Sequence, residues 1–275
     1  MWGGRQYVLV RYPDALDLDI RIPVDFIAKG GDNTLAFVQY LAQMLVEEKG
    51  VLRDSSRPAV DLDLDAEPQN KDLATYCFLP VEVATFTESR GPQSACQIDV
   101  APPGEDENDG ASSVYSRNSA EQTSFKFNLV SRDSWCPFTK SKPGACDAAH
   151  LVPAARLDVY RALLGVDSPY EAGFGMLMDE SLHKQYGRYK WSLYHKDDKY
   201  YFHTFHPSDK QLLKDCHGKA YAKADMRVLE DEDYPNPALC EWHYRQCVMM
   251  RLRGYSTSDR PFSQAAATPG EALRA

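Results

Sequence analysis

Apolar and polar positions alternate along this chain with two different periods, and the places where the period changes mark its elements. Tyr7 to Tyr12 and Leu16 to Val24 read as strands. The second carries Leu18, Ile20, Ile22 and Val24 on one face and mostly charges on the other. Asp32-Asn33 then offers a helix N-cap, Leu35, Val38, Leu41 and Leu45 recur at helical spacing, and Gly50 closes the helix. Residues 51–73 are acidic and lack helical periodicity, which predicts an edge strand or a solvated loop. Tyr76 to Thr87 predicts a strand broken at Pro80, and Ala95 to Val100 predicts another.

In the second half, Ser124 to Val130 predicts a strand. Trp135 to Thr139 and Cys146 to Val152 are short apolar runs. The turn chemistry of Lys140-Ser141-Lys142-Pro143-Gly144 between them predicts a hairpin. Asp158 to Leu164 predicts a short helix ending at Gly165, and Met176 to Tyr186 a helix ending at Gly187. Trp191 to Tyr194 and Tyr200 to Phe205 flank Lys196-Asp197-Asp198 as a second hairpin. A long C-terminal helix opens with Asn236 as N-cap and Pro237 in the first turn. Leu239, Trp242, His243, Cys247 and Met250 form its apolar stripe, and Gly254 stops it. The elements predict an α+β protein in four parts. These are a β-rich N-terminal subdomain over residues 1–100, an acidic linker over 101–123, a second domain over 124–254 and a tail over 255–275.

The 275 residues are 43% apolar and 26% charged, a composition that builds a packed core. No apolar run approaches the roughly 18 residues of a membrane span, and the start, Met1-Trp2-Gly3-Gly4-Arg5-Gln6, lacks the apolar segment of a secretory signal. Seven cysteines without a C-x-x-C pair read as reduced, mostly buried thiols. An intracellular protein, cytoplasmic or nuclear and without a membrane partner, is the expectation. Net charge is -9, from 31 Lys+Arg against 40 Asp+Glu, so the chain lacks the basic surplus with which nucleic-acid binders neutralise phosphate. A local basic patch is the remaining route to DNA.

His150 and His183 carry the candidate chemistry, the first on the second strand of the expected hairpin and the second on the helix that follows. One imidazole can take a proton from water while another ligates a divalent cation, which stabilises charge on a phosphodiester. On a regular strand Asp147 points away from His150, as a surface or turn-capping residue does, and a bulge would bring it to a metal. Arg132-Asp133 reads as a local ion pair or turn cap, and His243 as a core histidine bonded to a carbonyl. Tyr186, Tyr189, Trp191, Tyr194 and Tyr200 form an aromatic run that is sheet core, a stacking surface for bases or the wall of an apolar small-molecule pocket. Arg188, Lys190, Lys196 and Lys199 interleave with it and offer the nearest approach to a phosphate-binding surface.

Four pieces of the second half, in order, resemble the fungal HNH-endonuclease-like family. Arg132 to Thr139 matches R-D-x-x-C-x-x-T, and Cys146-Asp147-Ala148-Ala149-His150-Leu151-Val152-Pro153 matches C-x-A-A-H-L-x-P. Gly175 to Met178 resembles the end of N-G-x-x-L, and Leu182 to Gly187 resembles L-H-x-x-F/Y-D. His217-Gly218-Lys219, Pro235-Asn236-Pro237 and Trp242 to Cys247 resemble the family's closing section. The likeness covers residues 124–254 well and 1–100 loosely. It implies an HNH-like ββα core, with His150 as general base or first metal ligand and His183 as ligand of Mg²⁺, Mn²⁺ or Zn²⁺. Asp147 is the third candidate ligand. Phe174 stands where the family has its orienting Asn, and Gly187 where it has its closing Asp. Phe can neither donate nor accept the orienting hydrogen bond.

The resemblance implies metal-dependent phosphodiester hydrolysis with DNA as partner. The departures from it imply an alternative, a repurposed scaffold acting on a small molecule of fungal secondary metabolism with His150 and His183 as an acid–base pair. A catalytically dead interaction module is a third expectation. Phe174, Arg188, Lys190 and Trp191 are the candidate substrate contacts.

Overall fold

The structure is a computed structural model that describes residues 6–13, 18–68, 75–82, 85–89, 119–206, 211–228 and 230–252. The fold is α+β. The expected strand over Ala95 to Val100, the terminator Gly254 and most of the expected linker lie outside the described residues.

Strands β1 (Tyr7–Arg11), β2 (Asp19–Pro23), β3 (Gly50–Asp54) and β4 (Thr75–Pro80) form one sheet in the order β2-β1-β4-β3. β1 runs antiparallel to β2 and parallel to β4, and β3 is an antiparallel edge. The alternation of β2 turns Ile20 and Ile22 inward. Helix α1 (Val24–Ala28) follows directly, and α2 (Leu35–Gln43) buries Leu35, Phe37, Val38 and Leu41. The cap of α2 is Thr34, one residue past the expected Asp32-Asn33. Its Oγ1 accepts from Phe37 N at 3.2 Å and donates to Asp32 Oδ1 at 2.7 Å. The helix stops at Gln43 rather than at Gly50, because the Gln43 side chain clamps the following turn. It donates to Glu48 O at 2.8 Å and accepts from Gly50 N at 3.0 Å.

The second half differs from its sequence pattern in three places. Residues expected as a strand from Ser124 form the middle of helix α3 (Ser119–Asp133), which also takes in the end of the expected linker. Phe125, Phe127 and Leu129 alternate as a strand would, but Phe125 and Leu129 are buried one helical turn apart while Phe127 is 70% exposed. The run from Trp135 to Thr139 is a turn rather than a strand, closed by Cys136 N to Ser141 O and by Lys140 N to Cys136 O. The partner of β5 (Cys146–His150) is therefore β6 (Gly175–Asp179), in the antiparallel register Cys146↔Asp179 to His150↔Gly175. Finally, the helix expected from Met176 starts only at Glu180. Met176, Leu177 and Met178 are buried on both faces of β6, and Asp179 caps α5 (Glu180–Tyr186) by accepting from Ser181 N at 2.9 Å.

Helix α4 (Leu157–Leu164) ends at Gly165 with φ 71°, the left-handed stop that glycine permits. β7 (Trp191–Lys196) and β8 (Lys199–Thr204) form a hairpin whose two turn residues, Asp197 and Asp198, both have positive φ. β9 (Ala220–Ala222) extends that sheet beyond α6 (Gln211–Cys216). Asn236 caps α7 (Pro237–Arg251), accepting from Ala238 N and Leu239 N. Side chains of α7 enter both apolar cores. Tyr244, Cys247 and Val248 join the N-terminal sheet, and Leu239, Cys240 and Trp242 join the core behind β5–β6.

A buried pair ties the second core together. Arg132 Nε and Nη2 donate to both Asp133 oxygens at 2.7 and 2.9 Å. Its remaining N–H groups reach Ala172 O, Asp233 O and Gly175 O at 2.7–2.9 Å. Asp133 Oδ2 also accepts from Leu177 N at 2.9 Å. The expected local ion pair is thus a junction of α3, the start of β6 and the approach to α7.

Candidate functional site

A cleft with a cavity volume of about 630 Å³ opens beside β5, walled by α3, the loop after α4, and α5. His150 and His183 both line it. His150 sits at the end of β5. Its ring lies against Phe125 with centroids 4.3 Å apart and planes 17° apart, and it meets the edge of Tyr170 at 5.6 Å. Its Nε2 is buried without a hydrogen-bond partner among the described residues. Burial pushes the His150 pKa down to about 4, with the neighbouring His183 adding to the effect and the Pro169 carbonyl opposing it. His150 is therefore neutral at pH 7.

His183 takes a different partner. Its Nδ1 lies 2.9 Å from Asp147 Oδ2, with both side chains partly open to solvent. The carboxylate fixes the tautomer: Nδ1–H donates to Asp147, and Nε2 keeps the lone pair. β5 has no bulge in its register, and Asp147 meets His183 from a regular strand. α5 packs across both β5 and β6, so a helix side chain meets Asp147 there.

The remaining wall is apolar and acidic. Pro153, Ala154, Ala155, Leu157, Tyr170 and Tyr189 supply most of the surface. Glu121 and Asp167 line the cleft, and Asp167 pairs with Arg161. No Lys or Arg is among the described residues that line it.

Of the candidate substrate contacts, none is on this wall. Phe174 is core, packed against Tyr160 at 5.5 Å. Trp191 is fully buried, donates Nε1–H to Leu182 O at 2.9 Å and stacks on Phe202 at 4.0 Å, so it is sheet core. Arg188 is exposed outside the cleft, and its carbonyl accepts from Arg251 Nη2. Lys190 lies where the chain enters β7, and its carbonyl accepts from Phe205 N and His206 N. Gly187 and Tyr189 on the same turn line the cleft, and Arg188 and Lys190 between and after them do not.

His243 is a satisfied core histidine. Nε2–H donates to Tyr186 O at 3.1 Å, Nδ1 accepts from Ser192 Oγ at 2.8 Å, and burial lowers its pKa to about 3. Phe125, Tyr170 and Glu121 are the site residues that sequence reasoning missed. The alternation around Phe125 concealed a helix, and Tyr170 and Glu121 carried no spacing signal.

Among the described residues no three His, Cys, Asp or Glu side chains converge as a metal-holding group. Asp147 is engaged with His183 Nδ1, which leaves two imidazole nitrogens and no carboxylate cage. A catalytic Zn²⁺ takes three protein ligands, and the described side chains do not offer that set; Mg²⁺ takes one or two carboxylates with waters, and Asp147 is instead bonded to His183. Among the described residues no helix is long and apolar enough to cross a membrane. No family model, curated protein or solved structure matches the chain.

Proposed function

We propose that this protein is an acid–base enzyme acting on an uncharged or cationic small molecule, built on an HNH-like ββα scaffold of β5, β6 and α5. The observation that carries this reading is the pairing of His183 with Asp147 beside a cleft that His150 also lines and that no Lys or Arg among the described residues lines. His183 Nε2 takes the proton from substrate or water, and Asp147 stabilises the imidazolium that forms. His150, neutral at pH 7, lines the cleft beside this pair and adds no charge to the wall. Glu121 on the wall disfavours a polyanion, because a phosphate would be brought toward like charge, whereas Asp167 is paired with Arg161. The apolar and tyrosine surface suits a compact organic substrate.

A second reading, phosphodiester hydrolysis of the HNH type, is favoured by the element order alone. A histidine ends the first strand, a second antiparallel strand follows, and the next helix carries another histidine. The two readings part on metal. Titrating Mg²⁺, Mn²⁺ and Zn²⁺ calorimetrically into chelator-treated protein is expected to give no binding that depends on both histidines. Stoichiometric binding abolished by both His150→Ala and His183→Ala would replace the first reading with the second.

A further inference from the structure

We infer that Phe125 is a positioning residue: its ring, packed face to face on His150, holds that imidazole at the cleft together with the Pro169 carbonyl. Three rings form one cluster. Phe125 stacks on His150 at 4.3 Å, Tyr170 meets the His150 edge at 5.6 Å, and Phe125 and Tyr170 meet edge-on at 6.1 Å. His150 Nε2 has no hydrogen-bond partner among the described residues, so a bond at that nitrogen does not orient the ring. Phe125 is wholly buried on α3, and the buried Arg132–Asp133 junction at the end of that helix anchors it to β6.

Gly175 makes the stack sterically possible. It is the register partner of His150 on β6, and a Cβ there would collide with the Phe125 ring and come within 2.8 Å of Ala149 O. Phe174, the residue before it, is turned into the core against Tyr160. The space over His150 is thus filled from α3 rather than from the strand beside it.

This inference rests on the proposed role of His150 in the cleft, but its test needs no substrate, so a failed search for turnover leaves it standing. The test is NMR relaxation of the His150 Cε1–H group in protein labelled at histidine Cε1, with Phe125→Leu and Phe125→Tyr compared. The wild-type ring is expected to be as rigid as the backbone, with an order parameter of roughly 0.85, and Phe125→Leu to drop it below roughly 0.6. Phe125→Tyr is expected to restore it. The resonances of His203 and His217, packed elsewhere, are expected to stay unmoved and so report an intact fold. Should Phe125→Leu fail to fold, Tyr170→Leu removes the edge contact from a loop position and is expected to loosen the same ring. A rigid His150 in folded Phe125→Leu, or in Tyr170→Leu if that variant stands in, overturns the inference.

Discussion

His183 on α5 donates Nδ1–H to Asp147 on β5 across 2.9 Å, and this bond joins a helix imidazole to a strand carboxylate where α5 packs across the β5–β6 sheet. The bond selects which imidazole nitrogen is left as the base. Asp147→Asn keeps the shape and removes the charge that stabilises the imidazolium. It is expected to lower kcat/KM about 10²-fold on an uncharged ester reporter, the low end of what a positioned acid–base group contributes. The His183 and Asp147 side chains are 39% and 43% exposed, so stability in urea is expected to change by less than about 0.5 kcal/mol.

Acid is expected to destabilise the fold from about pH 6.5 downward. His150, His203, His217 and His243 are held neutral by burial, with pKa values of about 4, 3, 4 and 3. Each folded value lies below that of an unfolded histidine, near 6.5, so below that pH the unfolded chain binds more protons than the folded one. Their stabilising contribution is complete above about pH 6.5 and is lost as pH falls toward 4 and 3. Each excess proton steepens the loss by about 1.4 kcal/mol per pH unit. Urea midpoints at pH 7.5, 6 and 5 measure the slope. His203→Gln is expected to flatten it, whereas a midpoint constant over this range would contradict the burial of these rings.

The Arg132–Asp133 junction is expected to be the most sensitive polar point of the second core. Both side chains are almost wholly buried, and the guanidinium satisfies three backbone carbonyls besides its partner. Arg132→Met strands a buried carboxylate and is expected to cost 3–5 kcal/mol, roughly the penalty for breaking such a pair. Equilibrium urea unfolding gives the number. Asp133→Asn, which keeps a hydrogen-bonding group for Leu177 N, is expected to cost less.

Where sequence pattern and structure agree, the signal is local. Asn236 followed by Pro237 marks the start of α7, Gly165 the end of α4, and Asp197-Asp198 the turn of the β7–β8 hairpin. Where they part, the deciding contact is distant in sequence. β5 pairs with β6 across more than twenty residues, so the nearer apolar run at Trp135 looked like its partner. Met176-Leu177-Met178 is apolar throughout and carries no period to separate strand from helix. His150 and His183 stood out by their place in ordered motifs, whereas the stack of Phe125 on His150 depends on a helix the alternation concealed.

That helix has a simple test. Leu129→Ala, which opens a hole in a packed face, is expected to cost 2–5 kcal/mol, a range typical of buried leucines. Phe127→Ser, on the exposed face, is expected to fall within about 0.5 kcal/mol of wild type. Equal costs at the two positions would fit a strand with both side chains on one face and contradict α3.

The measurement that reaches the central claim most directly is hydrolysis of p-nitrophenyl acetate, an uncharged ester small enough for the cleft, in the presence of a chelator. Wild type is compared with His183→Asn, and the low-pH limb of the rate is followed in both. The expected result is turnover that withstands chelation and falls about 10²-fold in His183→Asn, with the fold unchanged by its urea midpoint. Turnover that vanishes with chelation, or that is indifferent to His183, would contradict a metal-independent acid–base site built on His183 and Asp147.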